Sequence, residues 1–150
     1  YLSDTQVRIS RVIRGSVEQV WRAHHEPELL QRWLLGPDGW AMKLCEVATR
    51  VGDAFRYEWE QVSDGEQFGF TGQLLESEPP HREVFTEALI GMEGSTTNEL
   101  TLTPVAGGTL LCLVVTYASA DMRDQVLATG MVDGMEASYA RLEREVLPAD

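Results

Sequence analysis

Residues 119–147 read SADMRDQVLATGMVDGMEASYARLEREVL, and the rest of the fold is built around this stretch. Ser119 is a favourable N-cap, and Asp121 places an acid in the first turn. The pattern predicts a helix of about 28 residues and about 42 Å, which must lie along an equally long surface. Its apolar residues recur every three to five positions, the spacing of one helix face: Met122, Val126, Met131, Met135, Tyr139, Leu142 and Val146.

The predicted helix carries an unusual strip of small residues. Gly130, Gly134 and Ser138 lie four residues apart and therefore share one side of the helix, flanked by Met131 and Met135. A glycine inside a helix costs about 1 kcal/mol relative to alanine, and methionine adapts its shape to its surroundings. Two interpretations stay open: the helix lines a cavity, or it packs tightly on a sheet with a local kink at Gly130.

The composition indicates an ordinary globular protein with a strong negative charge. Of 150 residues, 43% are hydrophobic and 24% charged, and the net charge is −12. We therefore expect one domain over residues 1–150, and neither nucleic acid nor anionic membrane as a partner. No apolar run approaches the length of a membrane span. Without a secretory signal or a disulfide framework, the expected location is cytoplasmic.

The first 40 residues predict one strand and two short helices. Residues 6–13 alternate as a strand, in which Arg11 shares the inward parity with apolar residues. An inward arginine requires a buried acid or a bulge. Ser16 and Gln19 form a capping box for the first helix. Pro27 suits the first turn of the second helix.

Everything from residue 40 to residue 117 reads as strands separated by turns. The alternation of Phe55, Tyr57 and Trp59 with charged residues predicts one apolar and one solvated sheet face. Sequential strands with tight turns favour an antiparallel meander. The predicted fold class is α+β: a sheet of about seven antiparallel strands covered by the C-terminal helix.

Several local sequences, in order, resemble the SRPBCC or START-like superfamily, which is also called birch-pollen-allergen-like. The branch that they resemble most is the domain named for the activator of heat-shock protein 90 ATPase. The pieces that carry the resemblance are Ile9-Ser10-Arg11, Val20-Trp21-Arg22-Ala23, Pro27-Glu28-Leu29, Arg32-Trp33, Arg50-Val51-Gly52-Asp53, Gly72…Glu76…Pro79-Pro80, Gly108-Thr109, Thr129-Gly130-Met131, Gly134-Met135 and Tyr139-Ala140-Arg141-Leu142.

The resemblance implies a helix-grip fold, in which a curved sheet wraps the C-terminal helix around a hydrophobic cavity. It implies apolar ligands, and the family's name suggests the stress response. The sequence contains no counterpart of the additional N-terminal domain of the eukaryotic activators, so direct chaperone activation is not expected. The family strand order would place another strand between Cys45 and Cys112, about 9–10 Å apart, too far for a disulfide.

The candidate site is a cavity between the sheet and the segment from Gly130 to Ser138. No catalytic motif, cofactor motif or metal spacing stands out, because His24 and His25 are adjacent and His81 is isolated. The candidate polar groups are Arg11, Glu76 and Glu87, any of which would need a partner if buried. The candidate lining residues are Trp33, Phe55, Tyr57, Trp59, Phe68, Phe70, Phe85, Leu100, Leu113, Gly130, Met131, Gly134, Met135, Ser138 and Tyr139.

Three functions compete at this point. The leading hypothesis is a binding module for an apolar or amphipathic small molecule, lipid-like or polyketide-like. The second is a cyclase- or hydrolase-type enzyme that uses the same cavity and requires an acid–base pair there. The third is a co-chaperone-like interaction domain, with a protein partner or as a homodimer. It predicts a collapsed cavity and an exposed apolar patch.

Overall fold

The computed structural model describes residues 5–35, 39–90, 95–128 and 131–146. Its centre is a curved antiparallel sheet of seven strands in the order β1-β7-β6-β5-β4-β3-β2. The strands are β1 Gln6–Ile13, β2 Trp40–Glu46, β3 Ala54–Gln61, β4 Gln67–Glu78, β5 Arg82–Leu89, β6 Thr96–Val105 and β7 Gly108–Thr116. From β2 to β7 every strand pairs with the next in sequence, as in the predicted meander, whereas β1 pairs with β7 instead of β2.

Two short helices follow β1, as the capping signals predicted. The first, α1 (Val17–His25), begins at Ser16, whose hydroxyl accepts from the Gln19 backbone while the Gln19 side chain accepts from the Ser16 backbone. Pro27 opens α2 (Pro27–Trp33), where its missing N–H costs nothing. The Trp33 indole N–H donates to the carbonyl oxygen of Ala23 over 2.8 Å, which fixes the angle between the two helices.

The C-terminal stretch forms α3 (Ala120–Leu127) and α4 (Met131–Arg141), and α4 continues as a π-helical turn over Leu142–Val146. Ser119 caps α3 by accepting from the Met122 backbone over 3.1 Å. The predicted kink position, Gly130, lies outside the described residues. Within the described ranges, no helix is long and apolar enough to cross a membrane.

The main core lies between the sheet and the helices. Tyr139 and Leu142 pack into the same apolar cluster as Leu100, Leu102 and Leu111 of the sheet. The alternation predicted for β3 is present, because Phe55 and Trp59 are buried while Arg56 is exposed. One face of the sheet therefore carries the core.

Cys45 and Cys112 are free thiols, but their separation was predicted wrongly. Cys45 lies on β2 at one edge of the sheet, and Cys112 lies on β7 near the other edge. Four strands, β3 to β6, separate them instead of one. The strand order inferred from the family resemblance placed β2 and β7 too close. They lie far apart because each strand from β2 to β7 pairs with the next in sequence.

Candidate functional site

A pocket of about 150 Å³ lies beneath the sheet, where strands β3 to β7 face α1, α2 and α4. Its walls are mostly apolar and aromatic, with polar side chains from α1 and β5. The lining residues are His24, His25, Leu30, Trp33, Leu34, Val47, Ala48, Phe55, Tyr57, Leu74, Glu83, Phe85, Glu87, Leu100, Leu113, Met135 and Tyr139. Apolar walls with a few convergent polar groups are the usual form of a small-molecule site.

Part of the residue set proposed from the sequence meets at this pocket. These lining residues are Trp33, Phe55, Tyr57, Phe85, Glu87, Leu100, Leu113, Met135 and Tyr139. Trp59, Phe68, Phe70, Gly134, Ser138, Arg11 and Glu76 do not line it. Gly130 lies outside the described residues, and so does the side chain of Met131. The pocket is therefore nearer to α1 and α2 than the predicted position along Gly130 to Ser138.

The aromatic residues that do not line the pocket form a separate cluster toward the β2 edge of the sheet. Trp59 stacks on Phe68 with ring centres 4.9 Å apart, and Trp40 meets Phe68 edge to face at 4.9 Å. Phe70 meets Trp59 edge to face at 5.8 Å. The Trp59 indole donates to the Leu34 carbonyl oxygen over 2.7 Å. Phe68 is 38% exposed, whereas Trp59 is 5% exposed.

Arg11 does not reach the pocket but ties β1 to the C-terminal helix. Its guanidinium donates to Glu143 over 2.5 Å and to Glu136 over 2.6 Å. The Glu143 carboxylate also accepts from the Arg14 backbone N–H over 2.9 Å. Burial by itself would raise the pKa of Glu143, but these contacts outweigh it and hold that pKa below its usual value. The inward arginine thus has its buried acid, contributed by the helix instead of by a strand.

Glu76 was a wrong candidate for the pocket. Its side chain is 59% exposed and accepts from Arg82 over 3.0 Å. Arg82 also pairs with Glu78 and Glu99. The pairing of β4 with β5 shifts between Leu74 and Glu76, and this irregularity places Glu76 opposite Val84. A one-residue shift of this kind moves a side chain to the other face of the sheet.

The polar pocket residues that sequence reasoning missed are His24 and His25 on α1 and Glu83 on β5. His25 Nε2 lies 2.6 Å from Glu83 Oε2, and His25 Nδ1 lies 2.7 Å from the Trp21 carbonyl oxygen. Since both ring nitrogens face oxygen acceptors, a doubly protonated ring satisfies both contacts. Burial by itself would lower the pKa of His25, but the Glu83 carboxylate outweighs it and raises that pKa. Sequence signals existed, because Glu83 shares strand parity with Phe85 and Glu87.

His24 has a different environment from its neighbour. Its Nδ1 lies 2.7 Å from the Val20 carbonyl oxygen, which makes Nδ1 the donor and leaves Nε2 with a lone pair. Nε2 is buried and has no hydrogen-bond partner among the described residues. Burial lowers the pKa of His24 to about 4, so the ring is neutral at pH 7. Its position on the apolar spacing of α1 was the available sequence signal.

Glu87 is the acid that faces the pocket without a partner. It lies opposite Thr96, and its backbone oxygen accepts from the Thr96 hydroxyl over 3.3 Å. No hydrogen bond or ion pair to its carboxyl group occurs within the described part of the chain. Burial raises the pKa of Glu87 to about 7. Tyr57 and Tyr139 line the same space, and burial raises the pKa of both hydroxyls.

A second space of about 170 Å³ adjoins the first. His25, Ala48 and Leu74 line both, and Trp21, Thr49, Ser77 and Pro79 complete the second. These shared residues form the wall between the two spaces. Among the described residues, no group of three or more histidine, cysteine, aspartate or glutamate side chains could hold a metal ion.

The helix-grip arrangement, with a curved seven-stranded sheet and a covering C-terminal helix, defines the class as an SRPBCC-type domain. A family model described as "Activator of Hsp90 ATPase homolog 1-like protein" matches residues 14–146, and the chain belongs to this family. We find no match among curated proteins.

Solved structures of similar proteins share the whole fold. A Rhodobacter sphaeroides protein is 36% identical, with a TM-score of 0.88, over 94% of this chain and 91% of its own. A Chromobacterium violaceum protein is 28% identical, with a TM-score of 0.83, over 97% of this chain and 99% of its own. An AHSA1-like protein from Aeromonas hydrophila is 21% identical, with a TM-score of 0.77, over 95% of this chain and 94% of its own, and this likeness concerns the fold alone.

Proposed function

We propose that this protein binds one small, largely apolar molecule in the pocket beneath the sheet. The observation that carries the proposal is a pocket of about 150 Å³ whose walls are mostly aromatic and aliphatic; among the described residues, its polar side chains come from α1, β3, β5 and α4. The fold supports it, since the helix-grip arrangement leaves room between sheet and helix. The chain needs no added cofactor for this function.

The volume limits the size of the ligand. An apolar cavity of about 150 Å³ holds a molecule the size of benzene, whereas pockets for larger ligands measure about 300–1,000 Å³. A sterol or a polyketide would require the walls to move apart, for instance at the side chains shared with the second space. We therefore propose a ligand with about one ring or a short acyl chain, smaller than the lipid-like molecules that the sequence suggested.

The test is a titration of the protein with toluene, naphthalene and a sterol, followed by methyl NMR spectra. We expect toluene to shift the methyl signals of Leu100, Leu113 and Met135, which line the pocket. Val12 is a matched control, because it lies on the exposed side of β1 and should not respond. Absence of shifts at the lining methyls with all three compounds would refute the proposal.

A second candidate function, an acid–base enzyme, is favoured by the contact between His25 and Glu83. A protonated imidazole held by a carboxylate can give a proton to a bound molecule, which is the pair that this alternative required. The assay is hydrolysis of phenyl acetate by the parent and by His25→Gln. If the parent and His25→Gln hydrolyse phenyl acetate at equal rates, no faster than buffer alone, the enzyme function is excluded and the binding function remains.

The interaction-domain alternative has weaker support. It requires a collapsed interior, and the pocket volume does not fit that requirement. Phe68 and Val62 are exposed apolar residues near the β2 edge, but nothing in the structure indicates what would cover them. A protein partner, a homodimer and the cytoplasmic location stay predictions.

A further inference from the structure

The two acidic side chains that line the pocket, Glu83 and Glu87, are not both paired with a cation, and this narrows the class of ligand that the pocket would bind. Glu83 is matched by His25, which it contacts over 2.6 Å. Glu87 points from the same strand into the same pocket and has no cationic partner within the described residues. Glu87 is half-buried, and an occupant of the pocket would shield its carboxylate further from water, which is costly without a partner. An occupant that supplies a positive charge would relieve this cost.

The other groups that face Glu87 cannot supply that charge. Tyr57 on β3, Tyr139 on α4 and Tyr117 after β7 all interact electrostatically with the Glu87 carboxylate. Their hydroxyls are neutral at pH 7, and Tyr57 and Tyr139 line the pocket. His24 on α1 is neutral as well, because burial holds its pKa near 4.

The basic residues near the pocket are committed elsewhere. Arg11 donates to Glu136 and Glu143. Arg141 donates to the carbonyl oxygen of Trp33 over 3.2 Å. When Glu87 is ionised, a balancing positive charge therefore has to come from outside the described part of the chain; otherwise the group takes up a proton.

The walls of the pocket suit an organic cation. Trp33 and Tyr139 stack with ring centres 5.6 Å apart, and Phe55 meets Tyr57 at 5.1 Å and Phe85 at 5.8 Å. Aromatic ring faces carry partial negative charge and attract a desolvated cation within about 6 Å. A metal ion is a poor alternative, since no suitable donor group of three or more exists among the described residues.

From this juxtaposition of an unpaired Glu87 and an aromatic-walled pocket, we infer that the ligand is a small organic amine, bound as its ammonium ion. The ammonium group donates to the Glu87 carboxylate, and the apolar body lies among Phe85, Leu100 and Leu113. This inference rests on the proposed binding function and narrows its ligand class.

The inference predicts a specific pH dependence. Burial raises the pKa of Glu87 to about 7, so below that pH the free protein carries a neutral acid that must lose its proton to pair with the amine. Affinity for an amine should rise about tenfold per pH unit below pH 7 and level off above it. It should fall again only above about pH 10, where an alkyl ammonium loses its proton. A neutral ligand of the same shape should show no such rise.

The experiment is calorimetric titration with benzylamine, benzyl alcohol and toluene between pH 5.5 and pH 8.5. Glu87→Gln keeps the size of the side chain and removes its charge, and Glu76→Gln is the matched control on the outer face of the sheet. At pH 8 we expect benzylamine to bind at least tenfold more tightly than benzyl alcohol to the parent and to Glu76→Gln. The preference should vanish in Glu87→Gln, which should still bind toluene as the parent does.

The outcomes separate the two proposals. If toluene binds but benzylamine and benzyl alcohol bind equally to the parent, the amine inference is wrong and the binding function stands. The same conclusion follows if Glu87→Gln keeps the preference for the amine. If none of the three binds to the parent, both proposals fail. If Glu87→Gln does not fold, the pH profile of the parent still tests the inference, because an amine affinity that does not change between pH 5.5 and pH 7 would contradict it.

Discussion

Replacing Ala48 by leucine should stabilise the protein, although Ala48 is 7% exposed and large residues usually disturb packed sites. Ala48 lines both the main pocket and the adjoining space, and it contacts the small cluster of Phe55 and Leu74. Leucine adds three carbon atoms at this position. At about 0.8 kcal/mol for each buried CH₂ group, filling empty space would contribute up to about 2 kcal/mol.

If the space is not empty, Ala48→Leu should lower the free energy of unfolding instead of raising it. Adding carbon atoms to a packed core costs about 1–3 kcal/mol, because neighbouring side chains must leave their preferred rotamers. Ala23 provides the matched comparison: it is 0% exposed, lies in α1 and does not line the pocket. Ala23→Leu should therefore be destabilising by that amount, whereas Ala48→Leu should not.

Urea unfolding of the parent and the two variants measures all three free energies of unfolding. The expected result is a higher unfolding midpoint for Ala48→Leu, together with loss of toluene binding, because the leucine occupies the ligand's space. An Ala48→Leu variant that is as unstable as Ala23→Leu would show that the pocket closes in solution, and the reasoning from its volume would be wrong.

Three further predictions concern the scaffold. Trp59→Ala should destabilise the protein by about 3–5 kcal/mol, as expected for a large aromatic residue removed from a core. Glu58→Ala should change stability far less. If denaturant melts show that Glu58→Ala is the more destabilising of the two, the register of β3 is wrong by one residue. Glu143→Gln should cost about 1–3 kcal/mol. The pKa of Glu143 is lowered in the folded protein, so its ionised carboxylate stabilises the fold above the ordinary carboxyl range, and this stabilisation is lost as the pH falls through the folded-state pKa. In melts from pH 7 to pH 3, the difference in stability between the parent and Glu143→Gln should therefore shrink. Thiol counting in the unfolded, unreduced protein should give two, from Cys45 and Cys112, and a count of zero would contradict the strand order.

Local signals in the sequence predicted most of the fold. The capping box at Ser16, the cap at Ser119 and the alternation in β3 are interactions between residues close in the chain, and the structure contains all three. These features can be predicted from the sequence because a helix cap or a strand alternation depends on a few neighbouring residues. The family resemblance then supplied the arrangement of the sheet around the C-terminal helix, which the family match confirms.

The pocket was harder to predict because its position depends on how distant elements pack. Parity placed Trp59 and Phe68 on the covered face, but it could not show that neither residue lines the pocket or that Phe68 stays 38% exposed. The irregular pairing after Leu74 turned Glu76 outward, and strand alternation does not reveal such a shift. The sequence analysis considered His24 and His25 only as metal ligands, and their adjacency argued against that role. It could not show that the two side chains line the pocket in different environments.

The most direct test of the central claim, that this pocket takes up a small apolar molecule, is a crystal structure of the protein soaked in bromobenzene. Bromine scatters anomalously, so the position of the ligand can be read without a model of the surrounding side chains. We expect one strong anomalous peak among Phe85, Leu100 and Leu113, with the Met135 and Tyr139 side chains close to their positions in this structure. A pocket without a peak, and with the Met135 and Tyr139 side chains filling the space, would contradict it.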